Sequence, residues 1–244
     1  MTADRRGRFH PSPRIRFAHV DGIIVILDFA TQKYFALDER ATSIWDAVTV
    51  RPPKLTSEEV ESLASAEVKS FIGECLNRGV LVVDTPNPVS GLPPSLETRH
   101  PSVLALAGLW TVFAIGCLHR AARRLRRYGF AHTYSVHESL YAKVVSFRPA
   151  TQIDRALEAF YRAESVVPMP NSPDDCLPRS FALFSYLRAL GFACQHFIGV
   201  RRYPSLTMHA WVEVDGHVVA DRAVSKEFVT LTTIGGSSQN GQVQ

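Results

Sequence analysis

Asp175-Cys176-Leu177-Pro178-Arg179-Ser180-Phe181-Ala182-Leu183-Phe184-Ser185-Tyr186-Leu187-Arg188-Ala189-Leu190-Gly191 is the stretch on which the reading of this chain turns. Asp174 or Asp175 suits the cap of a helix beginning near Leu177, and Pro178 suits its first turn. Leu177, Phe181, Phe184, Leu187 and Leu190 fall on one face, and Gly191 stops the helix. Cys176 then lies beside the open backbone N–H groups of a helix N-terminus. Those groups and the helix dipole favour a thiolate. Asp174 and Asp175 oppose that charge, so a cationic histidine is the partner such a thiol needs. Downstream, Cys194 to Val200 and Met208 to Val214 read as strands. Asp215-Gly216 marks a turn, and Val219-Ala220-Asp221 follows it.

A thiol at a helix start, a histidine on a strand and a carboxylate on the next strand supply a nucleophile, a base and an orienter in chain order. That set implies acyl-transfer chemistry of the cysteine-hydrolase kind. The competing reading of Cys176 is a small packed residue, since free cysteines are mostly buried and inert. Cys75 and Cys117 lie in apolar helical patterns and Cys194 opens a strand, so all three read as packing residues. Nine histidines compete for the base. His209 is preferred for its place inside an alternating strand; His196 also sits on a strand, and His217 should be exposed at the turn.

The hairpin register gives a sharper expectation. A two-residue Asp215-Gly216 loop would pair Val214 with His217 and turn Asp221 to the opposite face from His209. A three-residue Val214-Asp215-Gly216 loop would set His209 directly opposite Asp221. The three-residue loop is the one expected.

The chain has 244 residues, 46% hydrophobic and 20% charged, with a formal net charge of +4. That suffices for one large or two small folded domains. The mild basicity suits an acidic peptide or phospholipid surface at least as well as nucleic acid, and no nucleic-acid-binding signature appears. Among the four cysteines no CxxC pair occurs, so neither a zinc cluster nor a disulfide framework is expected. Arg5, Arg6 and Arg8 precede no apolar core of a secretory signal, and a cytoplasmic location is expected. No cofactor or metal site is expected.

Ile15 to Val20, a turn at Asp21-Gly22, Ile23 to Phe29 and Tyr34 to Leu37 read as a strand meander. Asp38 caps a helix carrying Ala41, Ile44, Trp45 and Val48. Thr56 or Ser57 opens a second helix. A third helix carries Val68, Phe71, Ile72, Cys75 and Leu76 and stops at Gly79, before the extended Val80 to Val83. Pro86, Pro88, Pro93, Pro94 and Pro101 mark residues 84–101 as a linker. Val103 to Leu118 is apolar and runs into Arg120, Arg123, Arg124, Arg126 and Arg127. A core helix with a solvated basic end is preferred over a membrane-surface anchor, being short for a span. Gln152 to Ala163 is a further helix. The organisation is α+β: a domain over 1–83, the linker, a domain over 102–234, and a disordered tail over 235–244.

Cys176-Leu177-Pro178-Arg179-Ser180-Phe181-Ala182-Leu183, Leu187-Arg188-Ala189-Leu190-Gly191-Phe192, Ile198-Gly199-Val200-Arg201, His209-Ala210-Trp211-Val212-Glu213 and Asp221 together resemble the B protein of lasso-peptide biosynthesis. That protein is a transglutaminase-like, papain-like cysteine peptidase that removes the leader of a ribosomally made precursor. The resemblance implies Cys176 as nucleophile, His209 as base and Asp221 as third member.

Residues 15–83 resemble a PqqD-like, winged-helix-like RiPP recognition element through Phe35-Ala36-Leu37-Asp38, Ala41-Thr42-Ser43-Ile44-Trp45 and Gly79-Val80-Leu81. This second resemblance implies leader binding by strand addition, with Tyr34, Phe35, Val68, Phe71 and Ile72 as candidate contacts. Implied partners are the precursor peptide, an asparagine-synthetase-like cyclase that closes the macrolactam, and the export transporter. Other readings are a transglutaminase-like acyltransferase and a non-catalytic leader-binding scaffold.

Overall fold

The computed structural model describes residues 8–31, 33–49, 65–83, 107–141, 148–167, 176–221 and 228–235. The helix expected from Thr56 or Ser57, the linker, the tail beyond Gly235, and the caps Asp174 and Asp175 lie outside the described residues. The chain divides into two compact units, Met1–Leu96 and Glu97–Gln244.

In the first unit, β2 (Ile15–Val20) and β3 (Ile23–Asp28) form an antiparallel hairpin that pairs Val20 with Ile23. Asp21 and Gly22 carry φ of 49° and 81°. That left-handed pair matches the twist of the strands it joins. Every residue of β3 is buried, because β4 (Lys33–Ala36) covers its other edge. Asp38 Oδ1 accepts the Ala41 N–H at 2.8 Å and opens α1 (Glu39–Thr49). Ser65 Oγ accepts the Val68 N–H and opens α2 (Ala66–Asn77). Gly79, at φ 66°, reverses the chain into β5 (Leu81–Val83). This last strand pairs with β1 (Phe9–Pro11), which sequence reading did not identify. Ile24, Ile26, Trp45, Val48, Ile72 and Leu81 meet in the core.

In the second unit, α3 (Ala107–Tyr141) is broken at Gly129, where φ is 74° and ψ 177°. Trp110, Ala114, Leu118 and Ala121 are buried, but Leu109 and Val112 are 47% and 65% exposed. The apolar run is therefore a core helix on one face only, and the arginines continue it instead of ending it. Among the described residues no helix is long and apolar enough to cross a membrane. After a 3₁₀ turn (Ala150–Gln152), α4 (Ile153–Val166) buries Ala156, Ala159, Phe160 and Ala163. Ile153 and Leu157 on the same helix are only partly buried.

The helix α5 (Cys176–Ala189) departs from its one-faced expectation. Ser180 through Phe184 and Tyr186 through Arg188 are all buried. A helix apolar on every side is a central one, and α5 packs against α3, β6 and β7. The sheet is antiparallel in the order β8-β7-β6-β9, built from β6 (Cys194–Arg201), β7 (Thr207–Val214), β8 (His217–Val219) and β9 (Val229–Ile234). Sequence reading passed over β9, although Val229-Thr230-Leu231-Thr232-Thr233-Ile234 has the β-branched composition of a strand.

Candidate active site

Cys176 is the first residue of α5 and is partly exposed. The N–H groups of a first helical turn have no intrahelical acceptor. One turn on, Ser180 Oγ donates to the Leu177 carbonyl at 3.1 Å and meets His196 Nε2 at 2.9 Å. The single hydroxyl proton goes to the carbonyl, so His196 Nε2–H donates to Ser180 Oγ. His196 is fully buried and stacked on Phe181, with ring centroids 4.5 Å apart. Burial, then the neighbouring His137, pushes His196 down to about 3. It is a neutral bracing group under the helix and is not placed to serve the thiol. His217 is exposed at the turn, as expected.

His209 lies on β7 opposite Gly199. A Cβ on Gly199 would stand 2.6 Å from Trp211 Cη2 and 2.9 Å from the Val229 carbonyl oxygen. Only glycine lets the Trp211 indole lie there. That indole donates to Glu213 at 2.8 Å and lies nearly parallel to the His209 ring, with centroids 6.5 Å apart. Phe228 closes on the same imidazole at 5.6 Å between centroids.

The expected hairpin register is overturned. Val214 pairs with His217, Glu213 with Val218 and Val212 with Val219. The loop is the two-residue Asp215-Gly216, with φ of 49° and 77°. Continued regularly, that register would put Asp221 on the face away from His209. The strand stops at Val219, and Ala220 takes φ 59°. A left-handed residue ends the alternation of faces, and Asp221 Oδ2 meets His209 Nε2 at 2.6 Å. Contact between the two side chains thus arises by a route different from the one expected.

The Cys176 side chain also lies near enough to the His209 imidazole to act on its titration. The Asp221 hydrogen bond, then the Cys176 side chain, raise His209 to about 9 against the opposing effect of burial. Both partners are acidic, and each favours the charged ring. Cys75 and Cys194 are buried and Cys117 is partly exposed; desolvation raises Cys75 to about 11 and Cys117 to about 12, and pushes Cys194 up as well. The structure therefore brings Cys176, His209 and Asp221 together at the mouth of a central helix.

Residues 117–233 match the model of the transglutaminase-like superfamily. The second unit thus carries a transglutaminase-like domain, a type that typically comprises cysteine peptidases and acyltransferases. The matched span includes all three residues and does not reach the first unit. No curated protein and no solved structure matches the chain. No group of His, Cys, Asp and Glu among the described residues of the chain could hold a metal ion.

Sequence reading missed several residues of this transglutaminase-like domain. Arg179 binds Glu164 through Nε and through Nη2, the latter at 3.1 Å, and its Nη1 donates to the Ala220 carbonyl at 3.0 Å. Its position three residues after Cys176, on the same side of the helix, was the available signal. Gly199, Trp211 and Phe228 carried none that separates them from ordinary strand residues.

The five candidate leader contacts in the first unit fall in different places. Tyr34 is exposed, at 38%. Phe35, Val68 and Phe71 are partly buried against the core, and Ile72, at 3% exposure, is inside it. Ile72 offers no surface to a peptide, since it packs in the core with Trp45 and Leu81.

Proposed function

We propose that the protein is a cysteine peptidase that removes the leader of a ribosomally made lasso-peptide precursor, with Cys176 as nucleophile, His209 as base and acid, and Asp221 as orienter. The observation that carries this reading is the 2.6 Å contact of His209 with Asp221, with the Cys176 side chain near enough to act on the same imidazole. His209 Nε2 is engaged by Asp221, which leaves Nδ1 as the ring nitrogen for the thiol. A raised imidazole beside the thiol carries the proton that the leaving amine needs.

The Cys176 thiolate attacks the scissile carbonyl. The tetrahedral oxyanion is met by the Cys176 backbone N–H at the helix start. Imidazolium His209 gives its proton to the leaving amine, and the thioester remains. His209, now neutral, takes a proton from water, whose oxygen attacks the thioester. The collapse frees the leader carboxylate and restores the thiol. Asp221 holds the ring tautomer and supports its charge in both halves. The released amine is the group that a partner cyclase, of the asparagine-synthetase type, joins to a side-chain carboxyl. The export transporter is a further partner in this reading.

The first unit, in this reading, is a PqqD-like element of winged-helix-like form. The β4 strand is the last in its sheet, and its Lys33, Tyr34 and Ala36 are exposed. An extended leader adding there gains backbone hydrogen bonds, with Tyr34, Phe35, Val68 and Phe71 beside it. Tethering the bound leader to the peptidase domain raises its effective concentration at Cys176.

Incubating the protein with the small precursor encoded beside it, with and without the cyclase, and reading products by mass spectrometry tests the proposal. Free leader and core are expected, and Cys176→Ala abolishes them. Cleavage by Cys176→Ala at the wild-type rate overturns the thiol mechanism. A new amide in place of a hydrolysed leader identifies an acyltransferase, and tight leader binding without turnover identifies a scaffold.

A further inference from the structure

Asp221 reaches His209 only because the backbone at Ala220 leaves the strand. Ala220 is not glycine, and an L-residue in the left-handed region is strained. Such a conformation persists when its surroundings hold it. The side chain placed to hold it is Arg179. Two of its nitrogens grip the Glu164 carboxylate on α4, and the third donates to the Ala220 carbonyl at 3.0 Å. A planar guanidinium bound in this forked way has little freedom to turn. One rigid group thus connects α4, the first turn of the nucleophile helix and the residue before Asp221.

We propose that Arg179, clamped by Glu164, is a positioning residue that fixes the left-handed turn at Ala220 and so presents Asp221 to His209. It rests on the triad reading above, but it concerns the shape of the chain and is testable without turnover. Arg179 touches no reacting atom. It acts through the Ala220 carbonyl, and its positive charge lies near Asp221 as well. The two effects predict different rescues. Held geometry is regained when the turn is made easier, whereas lost charge is not.

The test follows the His209 ring by NMR titration, and Cys176 thiolate reactivity by the pH dependence of iodoacetamide alkylation, with Cys176→Ala as the blank. In the full-length protein the ring is expected to titrate well above the ordinary histidine value, at about 9. In Arg179→Gln it is expected to fall by about 1 unit or more as Asp221 drifts away, with alkylation at neutral pH slowed about 10-fold, the equivalent of one unit. Glu164→Gln is expected to give a smaller shift of the same sign, and Arg179→Lys to retain part of the wild-type behaviour. Adding Ala220→Gly to Arg179→Gln is expected to restore part of the ring shift, since glycine takes positive φ freely.

A folded Arg179→Gln protein with the wild-type ring titration and alkylation profile overturns the proposal. So does a double variant no different from Arg179→Gln. Should Arg179→Gln fail to fold, Glu164→Gln carries the test, and an unchanged profile there overturns it equally. Precursor cleavage by Cys176→Ala would sink the peptidase reading and leave these spectroscopic outcomes standing.

Discussion

Two Asp-Gly hairpins occur in this chain, one in each unit, and their turns are nearly the same. Asp21-Gly22 and Asp215-Gly216 share the left-handed pair of φ values, and each joins strands whose flanking residues pair directly. They part company at the fourth residue past the turn. In the first hairpin that residue is Ile26, fully buried, and the strand runs on to Asp28. In the second it is Ala220, left-handed, and the strand is already over. An unbroken strand makes a core, whereas an interrupted one frees a carboxylate to cross to the other face. The functional geometry comes from where regular structure stops.

The carboxylates that follow the two strands should therefore fail in different ways. Asp28 is buried, binds Arg14 at 3.0 Å and accepts the Ala30 N–H at 2.9 Å. Asp28→Asn should lower stability by about 1–3 kcal/mol, from a weakened charged hydrogen bond, and leave the rate of precursor cleavage unchanged. Asp221→Asn and His209→Ala should lower that rate by about 10²–10⁴-fold in protein that stays folded, the urea midpoint falling only by what the His209–Asp221 pair contributes. Single-turnover cleavage and urea unfolding of the same samples separate the two. A slow Asp28→Asn protein, or an unfolded Asp221→Asn protein, breaks the comparison.

The second unit should also show a two-sided pH response. His209 is raised in the folded state, to about 9. Its contribution is fully present below the ordinary histidine value and is lost as pH rises through 9. His137 and His196 are lowered by burial, to about 4 and about 3. Their contributions are present above the ordinary value and are lost as pH falls toward 4 and then 3. Thermal unfolding across pH 4 to 10, followed by a probe confined to the second unit, should peak near neutrality. His209→Ala should flatten the alkaline side alone. Because His209 is also the proposed acid for the leaving amine, kcat/KM should fall above about 9.

The first unit was legible in the sequence almost strand for strand, because Asp21-Gly22, Asp38 and Gly79 act locally and the apolar runs between them have one period each. In the second, Cys176, His209 and Asp221 stood out as candidates, since their order along the chain is informative. The register did not stand out. Asp215-Gly216 permits either loop, and no local residue separates the two registers. What decides the matter is φ at Ala220, and an alanine carries no sign of a left-handed backbone. Its cause lies in Arg179 and Glu164, fifteen residues apart on different helices, and contacts of that range leave no periodic trace. The central placement of α5 was hidden similarly: one apolar face was counted, and Ala182, Leu183 and Tyr186 were passed over.

The fourth position past each turn offers the next test. Ile26→Ala should cost about 2–5 kcal/mol, as for a large side chain removed from a packed core. Ala220→Gly should cost nothing beyond about 1 kcal/mol in either direction, because relief at positive φ offsets the entropy that glycine adds to the unfolded chain. Urea midpoints decide both. A large loss on Ala220→Gly would mean that the methyl group, not the turn, is what the fold needs there.

The smallest effect probes the turns themselves. Neither Gly22 nor Gly216 has any atom within 4 Å of where a Cβ would stand. Alanine at either site therefore meets no clash, only the backbone cost of a positive φ, about 1 kcal/mol and alike in the two. Equal losses for Gly22→Ala and Gly216→Ala are expected, since nothing but the conformation differs from an ordinary residue. Turnover discriminates further. Gly216→Ala leaves the Val212–Val219 pairing in register, so the Asp221 contact and the cleavage rate should hold. If Gly216→Ala slows cleavage as strongly as Asp221→Asn, the carboxylate is governed by the turn and not by Ala220, and the contrast between the two hairpins begins four residues earlier, at Gly216.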